Sequence, residues 1–93
     1  MNLKEIEALQ EENGISEMQG MINSGTAWHM EGSIGRGAMS LLKSGACMLP
    51  EEHKKDAYGN IVPARTDLKE GTTGTFQNSV NFWNKVEAGE IEL

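Results

Sequence analysis

The sequence predicts a mainly α-helical fold, with about four short-to-medium helices and a turn-rich insertion before the last of them. Three observations predict it. Apolar residues recur at helical spacing in four stretches, capping residues and glycines bound those stretches, and turn residues cluster between the third stretch and the fourth. A length of 93 residues suits one hydrophobic core, because two cores of half that size would each be marginal. Residues 1–93 are therefore expected to form a single domain.

The first two helices are predicted from their ends. Asn2 is followed three residues later by a glutamate, which is the capping-box pattern of a helix N-terminus. The apolar spacing then continues until Asn13-Gly14, a typical helix stop. The same capping pattern recurs at Ser16 and Gln19, and this second helix should end at Asn23-Ser24-Gly25.

The third helix is predicted to run without interruption from Thr26 to Ser44. On a helical wheel its apolar residues gather on one side and its polar residues on the other through five turns, at ~100° per residue. Glycines at positions 32, 35 and 37 each destabilise a helix by roughly 1 kcal/mol relative to alanine. They are therefore expected to serve close packing against another backbone, with Gly45 ending the helix. The apolar side consists of Ala27, Met30, Ile34, Ala38, Leu41 and Leu42.

The insertion could contain a small β-hairpin, since residues 46–49 before Pro50 could be either a short strand or an extended packing segment. Residues 46–49 could pair with residues 60–62 across a turn at Asp56–Asn60, since glycine and asparagine tolerate positive φ. A second turn follows at residues 71–74. Thr75 should then cap the last helix, which carries Phe76, Val80, Trp83 and Val86 on one face.

Charge and cysteine content exclude several classes of protein. The net charge is −6, and the acidic residues concentrate at the two ends of the chain. There is no cluster of lysine and arginine of the kind that binds a phosphate backbone, so direct nucleic-acid binding is not expected. A single cysteine, Cys47, fits a reducing compartment. No signal peptide and no apolar run of ~20 residues is present, so a cytoplasmic location without membrane insertion is expected.

Two segments carry a resemblance to known proteins. The first is Gly25-Thr26-Ala27-Trp28-His29-Met30-Glu31-Gly32-Ser33-Ile34-Gly35-Arg36, and the second is Tyr58-Gly59-Asn60-Ile61-Val62-Pro63-Ala64-Arg65. Together they resemble small uncharacterised bacteriophage-encoded proteins, in which an A-W-x-x-E-G-x-x-G-R helix precedes a Y-G-N-x-x-P-x-R turn. The resemblance covers about residues 21–75 and implies a phage or prophage origin, and hence the host cytoplasm. It brings no activity with it.

Glu31 is the most unusual residue of the predicted third helix. It falls near the centre of the apolar face, where a carboxylate needs a cation, several hydrogen bonds or a raised pKa. Arg65, directly after the turn that ends at Pro63, is the best candidate partner. The pair would either lock the turn onto the helix or take part in ligand binding.

Other constellations are weaker. The run from Gly32 to Gly37 lacks the strand and the lysine-serine pair of a phosphate-binding loop, so close helix packing is favoured, although a helix start with Arg36 could hold an anion. No acid is spaced to orient His29 for catalysis. Two histidines and one cysteine are too few and too scattered for a zinc site. Neither a cofactor nor a metal is expected, and an enzyme is disfavoured.

The sequence therefore favours a non-enzymatic, phage-encoded binding protein that acts on a host or host-defence component. It would mask a protein or sequester a small anionic, nucleotide-like signalling ligand, with Arg36 and Arg65 as anion contacts and Trp28, Tyr58 or Trp83 for stacking. The alternative is a minor virion or assembly component completed by neighbouring subunits. A thin aliphatic core also favours a homo-oligomer. The candidate binding residues are Trp28, Glu31, Arg36, Tyr58, Asn60 and Arg65.

Overall fold

A computed structural model describes all 93 residues and confirms the mainly α-helical fold, with a small antiparallel hairpin before the last helix. No helix has both the length and the apolar character needed to cross a membrane. The elements in chain order are α1 (Leu3–Glu12), α2 (Ser16–Ser24), a 3-10 helix (Thr26–His29), α3 (Gly32–Ser44), β1 (Lys54–Lys55), β2 (Ile61–Val62) and α4 (Phe76–Glu87).

The helix ends of α1, α2 and α4 follow the sequence prediction except at the N-terminus of α2. The Asn2 side chain accepts a hydrogen bond from the Glu5 N–H at 2.9 Å, and the Glu5 carboxylate accepts one from the Asn2 N–H, which completes a capping box. Thr75 caps α4 through the Asn78 N–H. The predicted cap of α2 is wrong: its N-cap is Ile15, which supplies no side-chain hydrogen bond. Gln19, the other half of the predicted capping box, is buried in the core instead.

The prediction of one continuous helix from Thr26 to Ser44 is also wrong. After Gly25, whose φ is +87°, the chain forms only a short 3-10 helix. Met30 and Glu31 are then extended, and α3 begins at Gly32. A helical wheel cannot reveal this break, because the short 3-10 helix buries its own apolar residue, Ala27, much as a longer helix would. Because glycine has a low helix propensity, the glycines at the start of α3 do little to extend the helix back towards Met30 and Glu31.

The hairpin exists, but it uses a different first strand from the predicted one. Lys54 pairs with Val62 and Lys55 with Ile61. The turn between the strands lies at Asp56–Asn60 as predicted, closed by a hydrogen bond from the Asp56 N–H to the Asn60 carbonyl at 2.9 Å. Residues 46–49 pair with no strand.

Residues 45–50, here called the central segment, run through the middle of the molecule, and all six are buried. Side chains of α1 and α4 bind its first carbonyls. The Gly45 carbonyl accepts from the Ser79 hydroxyl at 2.6 Å. The Ala46 carbonyl accepts from Gln10 Nε2 at 2.9 Å and from Trp83 Nε1 at 3.3 Å. The apolar core that surrounds the segment includes Ile6, Ile22, Ala38, Leu42, Val80 and Trp83.

The remaining residues of the central segment also form hydrogen bonds with distant parts of the chain. Gln19 binds both backbone groups of Met48. The Leu49 N–H donates to the Gly74 carbonyl at 2.9 Å, and the Leu49 carbonyl accepts from Arg65 Nε at 2.8 Å. Buried backbone groups need such partners. The central segment therefore obtains mostly from side chains the hydrogen bonds that a strand obtains from its neighbours in a sheet.

Close packing at glycine occurs outside the interior of α3, so that prediction is wrong as well. An added Cβ at Gly35 would meet nothing nearer than the Ala27 carbonyl oxygen at 3.8 Å, and at Gly37 nothing nearer than Met18 Cε at 3.4 Å. At Gly74, by contrast, it would lie 2.6 Å from Leu49 Cδ1. At Gly45 it would lie 2.8 Å from Phe82 Cβ. The closely packed glycines are therefore Gly45, which is part of the central segment, and Gly74, which packs against it.

Candidate functional site

Two neighbouring clefts share Trp28 and Met39 and form one continuous surface, here called the joined cleft. The first is an open groove of about 680 Å³ along α3. The second is an apolar cleft of about 360 Å³ between α3 and the hairpin. The groove is lined by Trp28, Gly32, Gly35, Arg36, Met39, Ser40 and Lys43, and the apolar cleft by Trp28, Met39, Leu42, Leu49, Asp56, Ile61, Val62, Pro63 and Thr73.

The groove follows from the residue spacing in α3. Its lining positions on the helix follow the first one, Gly32, by three, four, seven, eight and eleven residues, so they lie on one face. Gly32 and Gly35 place no side chain there, which leaves room above the helix, and the Arg36 guanidinium folds back towards Gly32. Arg36 and Lys43 give this face two positive charges, and no carboxylate lines the groove.

The apolar cleft has a buried floor and an exposed rim. Leu42 and Leu49 are buried and belong to the hydrophobic core. Met39 is 44% exposed and Ile61 is 65% exposed, although both are large apolar side chains. Pro63 follows the second strand and lies on the hairpin side of the cleft. Apolar surface is therefore available to solvent directly beside the positive groove.

One contact ties the hairpin to the 3-10 helix, and two hydrogen bonds fix the shape of its turn. The His29 Nε2 atom is 2.7 Å from the Lys55 carbonyl oxygen, which links the 3-10 helix to β1. Within the turn, Asp56 Oδ1 accepts hydrogen bonds from the N–H groups of Tyr58 and Asn60, both at 2.9 Å. Desolvation acts to raise the pKa of Asp56, but these hydrogen bonds and the nearby His29 outweigh it and hold that pKa below its ordinary value. The turn therefore has a fixed shape while its outer residues stay free.

The structure brings only two of the six predicted binding residues together. Trp28 and Arg36 both line the groove. Tyr58 is 90% exposed at the turn, and Asn60 is also exposed, but neither lines the joined cleft. The Asn60 N–H is used by Asp56. Trp83, the other candidate for stacking, is completely buried.

The predicted ion pair between Glu31 and Arg65 does not form. Glu31 is exposed, lies in the extended break before α3, and accepts a hydrogen bond from the Ser33 hydroxyl at 3.2 Å. Arg65 is only 8% exposed, and it donates to the Leu49 carbonyl and, at 3.1 Å, to Asn23 Oδ1. Burial lowers the pKa of Arg65, against the influence of Glu51 and Glu7. Glu31 was placed on the apolar face only because the helix was assumed to be continuous.

Trp28 presents carbon rather than its polar atom to the joined cleft. Its indole Nε1 is buried and has no hydrogen-bond partner, while the residue as a whole is half-buried and lines both clefts. The ring carbons must therefore supply the exposed part of the side chain. Trp28 can offer a flat apolar contact there.

Sequence reasoning missed the buried glutamines and the exposed apolar rim. Gln10 follows the buried Ile6 by one helical turn, and the same spacing separates Gln19 from the buried Ile15. This spacing could have identified both as inward-facing residues. No comparable signal marks Ile61, because its exposure depends on how the hairpin lies against α3.

No protein-family model, no curated protein and no solved structure matches this chain. The joined cleft is therefore interpreted from its own geometry and charge.

Proposed function

We propose that this protein is a phage-encoded, non-enzymatic binding protein, which masks a host or host-defence protein by covering part of its surface with the joined cleft. The observation that carries this proposal is the continuity of the two clefts. An open, positively charged groove and an apolar cleft with exposed Met39 and Ile61 meet at Trp28. Exposed apolar surface bordered by polar residues is typical of protein-binding sites.

The shape and the charge distribution favour a protein over a small anionic ligand. Small-molecule sites usually enclose about 70–90% of their ligand, whereas the groove lies open along the helix. A nucleotide-like ligand was expected to use two arginines. Arg65 is not free for that role, because both Nε and one terminal nitrogen of its guanidinium donate to groups inside the protein. Arg36 would have to act with Lys43 alone.

Residues of both segments that resemble phage proteins line the joined cleft. Trp28, Gly32, Gly35 and Arg36 of the first segment line the groove. Ile61, Val62 and Pro63 of the second segment line the apolar cleft. Sequence stretches whose lining residues are at least 25 positions apart, as Arg36 and Ile61 are, thus contribute to one surface, which is what a shared binding role would require.

A non-enzymatic role is supported by the state of the most reactive side chains. Burial raises the pKa of the Cys47 thiol to about 12, so the thiol is a poor nucleophile near neutral pH. The His29 Nε2 atom is engaged by the Lys55 carbonyl. Both residues contribute to packing and to positioning of the hairpin.

A pair of methionine variants tests the proposal. Met39→Glu places a charge inside the joined cleft, and Met30→Glu places the same charge at an exposed methionine that lines neither cleft. Each tagged variant is produced in the host, and proteins that co-purify are identified by mass spectrometry. We expect a host protein to bind the wild type and the Met30 variant, and to bind the Met39 variant at least tenfold more weakly. Circular dichroism confirms that both variants fold.

Two results would contradict this function. Equal loss of binding in both variants would mean that the joined cleft is not the binding surface. Recovery of the protein in purified phage particles at a fixed copy number, with no host protein bound, would instead favour the alternative of a minor virion or assembly component.

A further inference from the structure

Resting on the proposed function, we infer that the joined cleft receives an acidic peptide segment of its partner in which acidic residues flank one large apolar side chain. The joined cleft offers two kinds of contact in a fixed order along α3. Positive side chains lie at Arg36 and Lys43, and the opening of the apolar cleft lies between them at Met39.

The positive groove stands out against the charge of the whole chain. The protein carries −6 overall, so its net charge repels an acidic partner. Along the groove the only charged residues are Arg36 and Lys43, and the other lining positions are glycine, serine, methionine and tryptophan. The single carboxylate of the joined cleft, Asp56, already accepts two backbone N–H groups. The groove is therefore complementary to negative charge.

The spacing of the two cations restricts the peptide. They are seven residues apart, or about 10 Å along a helix that rises 1.5 Å per residue. An extended peptide, at about 3.3 Å per residue, spans that distance in roughly three residues. Because alternate side chains of an extended segment share one face, acidic residues about four positions apart with the apolar residue midway, or about seven apart in a helix, would reach both cations. Glu31 lies just beyond Gly32 and disfavours a further acid at that end of the groove.

The apolar cleft supplies the second contact. Leu42 and Leu49 form its floor, and Met39 can adapt its shape to different side chains because it is unbranched and flexible. Leucine, phenylalanine or tryptophan placed between the acidic residues would reach this floor. The missing side chain at Gly35 allows the peptide backbone to lie close to α3, whereas the space above Gly32 is taken by the Arg36 guanidinium.

A displayed library of random 12-residue peptides tests this inference on the intact protein. Peptides are selected on the wild type, and the enriched sequences are compared by composition. We expect enrichment of glutamate and aspartate on both sides of a large apolar residue. An enriched peptide, synthesised with a fluorescent label, should bind the Arg36→Glu/Lys43→Glu variant at least tenfold more weakly. The variant Lys69→Glu/Lys85→Glu changes the net charge equally at two exposed lysines outside the cleft, and it should bind as the wild type does.

The outcomes separate this inference from the proposed function. Peptides that depend on Met39 but show no acidic bias would overturn the inference and leave the proposed function standing. Peptides that bind regardless of Met39→Glu, or no enrichment at all, would overturn both. Light scattering that shows self-association, reversed by Arg36→Glu/Lys43→Glu but not by the control variant, would also overturn the inference, because a second copy of this chain would then occupy the cleft.

Discussion

The side-chain amide of Gln19 forms hydrogen bonds with both the backbone N–H and the backbone carbonyl of Met48. The Gln19 Oε1 atom accepts from the Met48 N–H at 2.8 Å, and Gln19 Nε2 donates to the Met48 carbonyl at 2.9 Å. The side chain thus takes the place that a neighbouring strand would take in a sheet. Gln19 Oε1 also accepts from Gln10 Nε2 at 2.9 Å, so α1 and α2 are joined through the same amide.

Replacing Gln19 by alanine should destabilise the protein severely. The change leaves both backbone groups of Met48 buried without partners, and each such group costs about 1–3 kcal/mol. We expect the free energy of unfolding in urea to fall by about 3–5 kcal/mol. Gln77→Ala is the matched control. Gln77 is exposed and its side chain bonds only Asn81, while its backbone N–H keeps its hydrogen bond to the Glu70 carboxylate in the variant. A loss below about 0.5 kcal/mol is therefore expected.

Arg65 and Glu31 should contribute to stability independently. Arg65→Ala removes the donors to Leu49 and Asn23 and should cost about 3 kcal/mol, since hydrogen bonds from charged groups are worth about 1.5–3 kcal/mol each. Arg65→Lys should recover less than half of that loss, because lysine lacks the planar fork. Glu31→Gln should change stability by less than about 0.5 kcal/mol. In the double variant the two effects should add, and a coupling above about 1 kcal/mol would restore the rejected ion pair.

Two glycine-to-alanine changes should have opposite signs. Gly35 is helical, and the added methyl group meets only the Ala27 carbonyl oxygen at ordinary distance, so Gly35→Ala should stabilise the protein by about 1 kcal/mol. Gly74 has φ of +92°, and its added methyl group would overlap Leu49. Gly74→Ala should cost more than about 2 kcal/mol. Thermal unfolding of the two variants under identical conditions measures both effects, and a destabilising Gly35→Ala would show that α3 is packed more tightly than described.

Cys47 should make the stability of the fold fall in alkaline solution. Burial raises the pKa of its thiol from 9.0 to about 12. Above pH 9 the unfolded chain therefore loses this proton while the folded chain keeps it, so the free energy of unfolding decreases with a slope of up to about 1.4 kcal/mol per pH unit. Below pH 9 the thiol contributes no pH dependence. The stability difference between wild type and Cys47→Ala should narrow by about 1.4 kcal/mol between pH 8 and pH 10, and a constant difference would contradict the burial of the thiol.

The sequence predicted the parts of the fold that depend on neighbouring residues. The capping box of Asn2, the N-cap of Thr75, the turn at Asp56–Asn60 and the four α-helices all rest on residues a few positions apart. The break before α3 was not predictable in this way. A hydrogen bond between His29 and Lys55 helps to hold it, and these residues are 26 positions apart.

The candidate site, too, could be predicted from the sequence only where its residues lie close together in the chain. Trp28 and Arg36 both line the groove and share one short segment of the sequence, while their predicted binding role stays a prediction. The predicted partner of Arg65 is wrong. The side chain that it bonds, Asn23, lies 42 positions away and is uncharged, so a search for an ion pair cannot identify it. Ile61 was overlooked, because only the docking of the hairpin makes it part of a cleft.

The central segment also has a consequence for the chain as it is synthesised. Ala46 receives hydrogen bonds from Gln10, 36 positions earlier, and from Trp83, 37 positions later. A ribosome that adds about 5–20 residues per second needs roughly 2–7 s to make the residues between Ala46 and Trp83. Throughout that interval the segment and its apolar neighbours lack the helix that covers them. The first three helices should therefore remain dependent on chaperones or stay unfolded until α4 emerges, and the domain should form in a single late step.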